Sequence, residues 1–368
     1  MPELTNAIIK ESDAIPQLIK FIENQLTFES VIKILTKMIT ENPEDLRKIY
    51  LNHEIIVPIL MAFSPYDQKT FSEDVFIIIE NLFEEENRPE SGNFRLFIAI
   101  WANLIHEFDA SIVLQTIETI GHLSKDKNDD EFEKYFIDKR VIKHLVQLIN
   151  HNETYIHTSL AICLTYITRG SGEQIQHIFD SGILENFDKL LNNQDYTVHL
   201  CATILLSKLI TKNEEQYQAV FNSKYIPIIM EYFKSEISAK RQVATKFFTK
   251  AVLHGKTEHI LYFLKLNLVC YFSQHLKEHE MKNDDKSKFH LQWIEQVFKV
   301  FQSIFEKIPK SESKNVSLEI IKCGGNDVIT KFVKKENSEI SELAVKIIYE
   351  MGRAMDVLDL NDLLHDDL

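Results

Sequence analysis

The chain has 368 residues, 45% of them hydrophobic, with 55 acidic against 41 basic side chains and a formal net charge of -14. That balance argues against DNA or RNA as the main partner, because nucleic-acid binders carry the opposite sign. Only 9 glycines and 8 prolines punctuate the sequence, too few for the many tight turns of a β-rich fold.

Residues 1–20 contain Glu3, Lys10, Glu11 and Asp13 and no apolar core of signal-peptide length. No apolar run reaches the ~18 residues that a membrane span needs, so no membrane span is expected, and the protein is placed in cytoplasm and nucleus. A short apolar motif, often carrying a proline, opens at Ile15-Pro16 (IPQLIKFI). It returns at Val57-Pro58 (VPILMAF), Ile142 (VIKHLVQLI), Leu184 (ILENFDKLL), Ile226-Pro227 (IPIIMEYF) and Val269 (LVCYFSQHL). The steps are 42 residues from Ile15 to Val57, 85 to Ile142, then 42, 42 and 43. The step of 85 is two periods, which makes FRLFIAIWANL (94–104) the hidden copy. Proline fits the first helical turn, where its missing N–H would lack a partner anyway. Gly182 suits the sharp turn into one copy.

After each motif the spacing predicts a longer helix: 29–40, 74–83, 112–124, 155–168, 197–211, 240–253, 291–306 and 338–351. Apolar residues recur there at i, i+3, i+4 and i+7, as in Val198, Cys201, Ala202, Leu205, Leu206 and Leu209. Asp195 and Ser338 are placed to cap two of them. The polar EEENRPESGN (84–93) and the charged EHEMKNDDKSK (278–288) read as solvated loops, the second an insertion in one repeat. A helical period near 42 lies in the armadillo and HEAT range. The expected fold is therefore all-α, a right-handed superhelical solenoid of about eight armadillo repeats over residues 1–355. An acidic tail, 356–368 (DVLDLNDLLHDDL), follows it.

Little in the sequence announces chemistry. His254-Gly255-Lys256-Thr257 looks like the end of a phosphate loop but follows a helix and lacks the earlier glycine, so a helix turn is expected. His275 and His279 have metal-site spacing without the rest of the motif and read as surface residues. Gly170-Ser171-Gly172 has no strand before it. Trp101 and Trp293 fall on apolar stretches and read as core. Cys163, Cys201, Cys270 and Cys323 show no C-x-x-C spacing and are expected as buried free thiols in a reducing compartment. No catalytic residue, cofactor or metal is expected.

Sequence detail adds a resemblance. TYITRGSGEQIQHIFDSGILENFDKLL (165–191), KNEEQYQAVFNSKYIPIIMEYF (212–233), HGKTEHILYFLKLNLV (254–269) and residues 297–352 resemble successive repeats of the importin-α family. The turns Cys323-Gly324-Gly325 and Glu336-Asn337-Ser338-Glu339 carry the most specific likeness. The resemblance covers most of the chain and is strongest from about residue 130. It implies a non-enzymatic adaptor that binds protein cargo or peptides in nuclear import and meets a nuclear export receptor at the C-terminal repeats. Family members begin with a basic importin-β-binding segment. Nothing basic precedes the first repeat here, so importin-β is not an expected partner.

The family also lines its groove with a tryptophan and, four residues on, an asparagine in each repeat. The tryptophan positions hold Lys33, Ile77, Glu118, Ile162, Ile204, Lys246 and Lys299 in this chain. The asparagine positions hold Lys37, Asn81, His122, Tyr166, Lys208, Lys250 and Ser303. If 94–104 were a third helix of its repeat, Asn103 would join them. Residues i and i+4 share a helix face, so these pairs are expected to line the groove. Lysines there would repel a basic nuclear localisation signal. The groove also lacks the aromatic faces whose cation contacts contribute roughly 0.5–2 kcal/mol each. It is expected to take an acidic or mixed segment, with the tail 356–368 a candidate in cis. The alternative is an armadillo scaffold that has lost signal binding and organises another protein assembly, with these lysines as solvated surface.

Overall fold

The computed structural model describes residues 25–41, 110–124, 141–282, 288–333 and 339–355, together with 17, 18, 20, 21, 74, 75, 77, 78, 81 and 105. Among them every regular element is a helix. The expected loop at 84–93, the copy at 94–104 with Trp101 and Asn103, the cap Ser338 and the tail 356–368 lie outside the described residues.

In chain order the helices are α1 (Gln25–Glu41), α2 (Ala110–Leu123), α3 (Val141–Gln147), which a 3₁₀ turn continues over Leu148–Asn150, and α4 (Thr154–Ile167). From there the chain runs in triplets. The first is α5 (Gly172–Asp180), α6 (Asp188–Leu191) and α7 (Tyr196–Leu209). The second is α8 (Glu214–Phe221), α9 (Ile226–Phe233) and α10 (Ser238–His254). The third is α11 (Thr257–Lys265), α12 (Leu268–Lys282) and α13 (Lys288–Lys307). The fourth is α14 (Lys310–Lys322), α15 (Gly325–Val333) and α16 (Glu339–Ala354). Seven of the eight expected long helices are present, and of the second the described residues Asp74, Val75, Ile77, Ile78 and Asn81 are helical.

Local signals set the boundaries. The Ser171 hydroxyl accepts from the Gln174 N–H, and the Asn213 side chain accepts from the N–H groups of Glu215 and Gln216, filling donors that a helix start leaves open. Asp195 does the same for Thr197 at 2.7 Å, as its position implied. Pro227 sits in the first turn of α9. Gly182 turns the chain toward α6 with φ 79°, a region costly for any residue with a Cβ.

Packing divides the chain into two units, Met1–Leu205 and Leu206–Leu368. In the first, α2 packs on α4, and the Thr36 hydroxyl donates to the Asp74 carbonyl at 3.1 Å. In the second, α10 packs on α13, α13 on α16 and α12 on α15. Equivalent helices of successive repeats therefore stack, the arrangement in which each repeat supports only its neighbours. The stacked helices bury one stripe each. In α13 that stripe is Ile294, Val297, Phe298, Phe301, Ile304 and Phe305, at helical spacing.

Four expectations change. Residues 278–282 continue α12, and α13 begins at Lys288, so the described residues of the expected loop are helical. The reason is pairing: Glu278 meets Arg241 at 3.4 Å and Glu280 meets Lys331 at 3.9 Å, so these charges hold the helix to its neighbours. His275 is a core residue, 8% exposed, its ring edge-on to Phe233 with centroids 4.7 Å apart. Cys270 and Cys323 are not free thiols. They form a disulfide with their Cα atoms 5.3 Å apart, because the start of α12 packs beside the end of α14 in the next repeat. Cys163 and Cys201 are free, and burial pushes both thiols up. Trp293, expected in the core, is half-buried.

The His254–Thr257 segment is the turn between α10 and α11. Gly255 is required there by space. A Cβ would lie 2.6 Å from the Ala251 carbonyl oxygen and 2.6 Å from the Tyr217 hydroxyl. That hydroxyl donates to the same carbonyl at 2.7 Å in a buried setting. We expect Tyr217→Phe to lower stability by about 1 kcal/mol and Gly255→Ala by about 1–3 kcal/mol. The double variant should lose less than the sum in urea denaturation, because removing the hydroxyl relieves one of the two clashes.

Candidate peptide-binding face

The ladder positions can now be placed within each unit. In the first, Lys33, Lys37, Glu118, His122 and Ile162 are exposed and Ile77, Asn81, Tyr166 and Ile204 are half-buried, whereas Ile32, Leu35, Ile117, Ala161 and Leu205 on the same helices are buried. The rows thus occupy the open side of the long helices. Their chemistry is largely taken up locally. Lys33 pairs with Glu29 at 2.5 Å, and that carboxylate holds its ammonium above the usual lysine range. The Asn81 amide donates to the Ile77 carbonyl at 2.8 Å, and Glu118 accepts from the Ser159 hydroxyl at 3.0 Å. Arg169 lies over the Tyr166 ring, 4.7 Å from its centroid.

In the second unit Lys246 is exposed, Lys208, Lys250 and Lys299 are half-buried, and Ser303 is buried. Ser303 therefore packs into the stack and does not line an open face. Lys299 is neutralised by Glu295, one turn earlier, and by Glu339 of the next repeat at 2.9 Å. The hydrogen bonds that it donates to Glu295 and Glu339 hold its ammonium above the usual range.

The ends of α7, α10 and α13 differ. Lys208 and Lys212 stand at the end of α7, Lys250 and His254 in the last turn of α10, and Lys307 closes α13. Lysines here reach back to the preceding long helix. Lys250 Nζ approaches the Ile210 carbonyl at 3.5 Å, and Lys307 Nζ donates to the carbonyls of Val252 and Leu253 at 2.8 Å each. This serves helix C-termini, whose last carbonyls lack partners and carry the negative pole. The group is nevertheless rich in positive charge. Burial, then Lys208, pushes Lys250 down to about 8. Burial, then Lys250, Lys212 and Lys307, pushes His254 below the usual histidine range. Lys212, Lys250 and Lys307 form no ion pair with a carboxylate among the described residues. Lys208, Lys246 and Lys250 were legible from the repeat register. Lys212, His254 and Lys307 were missed, although the pattern Lys208/Lys212, Lys250/His254 and Ser303/Lys307 repeats at i, i+4.

No family model matches the chain, and no curated protein matches it in sequence. Solved structures do. An engineered protein aligns at 16% identity with TM-score 0.64, covering 95% of this chain and 88% of its own. A designed armadillo repeat protein aligns at 14% identity with TM-score 0.57, covering 69% of this chain and 99% of its own. Another, in complex with the peptide (KR)4, aligns at 15% identity with TM-score 0.56, over 69% and 99%. The chain folds as an armadillo repeat solenoid. At these identities the likeness is one of fold alone. Among the described residues no helix is long and apolar enough to cross a membrane.

Proposed function

We propose that this armadillo protein is a non-enzymatic adaptor that binds extended segments of partner proteins on the open side of its long helices. One observation carries the reading. Ser303 apart, the ladder side chains of successive repeats are exposed or half-buried while the opposite stripe of each helix is buried, so the fold offers side chains at repeat spacing without spending core residues. The designed armadillo protein that holds the peptide (KR)4 supports it by analogy of fold. The finer form of the proposal is an importin-α-like carrier of protein cargo between cytoplasm and nucleus. It rests on the repeat-by-repeat sequence resemblance from about residue 130. Its partners would be cargo and a nuclear export receptor at the C-terminal repeats. The lysines and isoleucines at the tryptophan positions favour a second reading, a scaffold that has left signal binding and organises a fixed assembly.

A photo-crosslinking side chain at Ile162 or Lys246 tests the adaptor reading. We expect capture of ten-residue peptides from a set of acidic, neutral and basic sequences, at least fivefold above capture from Glu231 on α9. Equal capture from Glu231, or none from either ladder position, would end the proposal. Binding of the purified export receptor without importin-β separates the carrier from the scaffold.

A further inference from the structure

All the groups at issue lie in the second unit. Three successive long helices, α7, α10 and α13, end in Lys208 and Lys212, Lys250 and His254, and Lys307. The structural role of these cations is to meet helix C-termini, each worth about half an elementary negative charge. Even without Lys208, the three lysines Lys212, Lys250 and Lys307 exceed what three such poles offset. In the same unit the chain supplies Glu295 and Glu339 to Lys299. Here, in a protein with 55 acidic side chains, no described carboxylate pairs with Lys212, Lys250 or Lys307. Lys250 is half-buried and already destabilised by its positive neighbour. Leu253, 38% exposed, sits between Lys250 and His254 and adds an apolar foothold.

We infer that this cation cluster is a docking surface for an acidic, extended segment of a partner protein, with carboxylates on Lys212 and Lys250 and an aliphatic side chain on Leu253. The inference rests on the adaptor reading and names the chemistry of its partner. Charge complementarity selects the occupant: carboxylates supply the counter-charge that the fold withholds. A peptide is favoured over a nucleic acid. A long polyanion would meet the repulsion of the chain's net charge of -14, whereas a short acidic segment feels mainly the local cluster. Lys299, closed by two glutamates, marks where the favourable surface stops.

The test uses the full chain and a fluorescein-labelled ten-residue peptide of alternating glutamate and leucine, read by anisotropy. Peptides with glutamine or lysine in place of glutamate, and a single-stranded RNA decamer, are the comparisons. We expect the acidic peptide to bind at least tenfold tighter than the others and to weaken at least fivefold between 50 and 300 mM salt. Lys212→Glu should weaken it about tenfold and Lys250→Gln about threefold. Lys265→Glu, exposed at the end of α11 and outside the ladder, should leave it unchanged. Circular dichroism confirms that each variant is folded. Lys212 is exposed and outside the core, so its variant keeps the test decisive if Lys250→Gln fails to fold. Equal binding of the neutral or basic peptide, unchanged affinity in the Lys212 variant, or tighter binding of RNA would overturn the proposal. If the acidic peptide fails while another peptide crosslinks at Lys246, this inference falls and the adaptor reading stands. If no peptide crosslinks at either ladder position, both fall.

Discussion

Phe233→Ala is expected to destabilise the second unit by about 3–5 kcal/mol, the range for emptying a fully buried phenylalanine site. Phe233 closes α9 with no exposed surface. Its ring meets Phe248 of α10 at 5.2 Å, Phe272 of α12 at 4.9 Å and His275 of α12 at 4.7 Å between centroids. One side chain therefore joins its own repeat to the next. In a solenoid such interface contacts carry the coupling between repeats, so the loss should also broaden the transition. Phe233→Leu, which keeps most of the volume, should cost about 1 kcal/mol. Urea denaturation followed by circular dichroism would measure both. Equal, small losses for the two variants would mean that the aromatic cluster does not couple the repeats.

The same cluster makes stability depend on pH. Burial, then the Arg241 guanidinium, pushes His275 down to about 4, while the Phe233 backbone carbonyl partly holds the charged form. The Nδ1 atom has no hydrogen-bond partner. An unfolded histidine titrates near 6.5. Between those values the unfolded chain binds more protons than the folded one, so stability rises with pH. The neutral ring's contribution is complete above pH 6.5 and disappears as pH falls through about 4. From pH 7 to pH 4 the loss assigned to this residue is about 3 kcal/mol. Carboxylates and other buried histidines also titrate over that interval, so the measurement is a difference. Denaturation midpoints of the protein and of His275→Phe, taken from pH 7 to pH 4, should diverge progressively below pH 6.5, with the variant losing less. Parallel profiles would show that the ring stays charged or solvated.

What the sequence revealed follows from which forces act locally. The long helices were legible because each buries a stripe along its whole length: 240–253 was expected where Ser238–His254 is found, and 197–211 where Tyr196–Leu209 is found. The short polar helices that open the triplets left little trace. In α14 only Val316, Ser317 and Ile320 are buried, so KSESKNVSLEIIK carries a weak pattern. Charge misled at 278–282, because Glu278 and Glu280 hold cations on other helices rather than water. The pairing of Cys270 with Cys323 had no local mark, since their meeting depends on how successive repeats stack. For the candidate face, the ladder register found the rows themselves. It did not find that Glu29, Glu295 and Glu339 silence two of its lysines, or that Lys307 joins the unsilenced group from a helix later.

The Cys270–Cys323 link also sets how far the chain can be drawn out under tension. Its loop runs through the third and fourth triplets over a sequence separation of 53. Fully stretched, that loop would release about 180 Å of polypeptide. While the sulfurs remain joined that length is locked, and a tug on the C-terminus passes through the covalent staple. A reductant would restore the hidden length, so the protein's extensibility as a tether would follow the redox state around it.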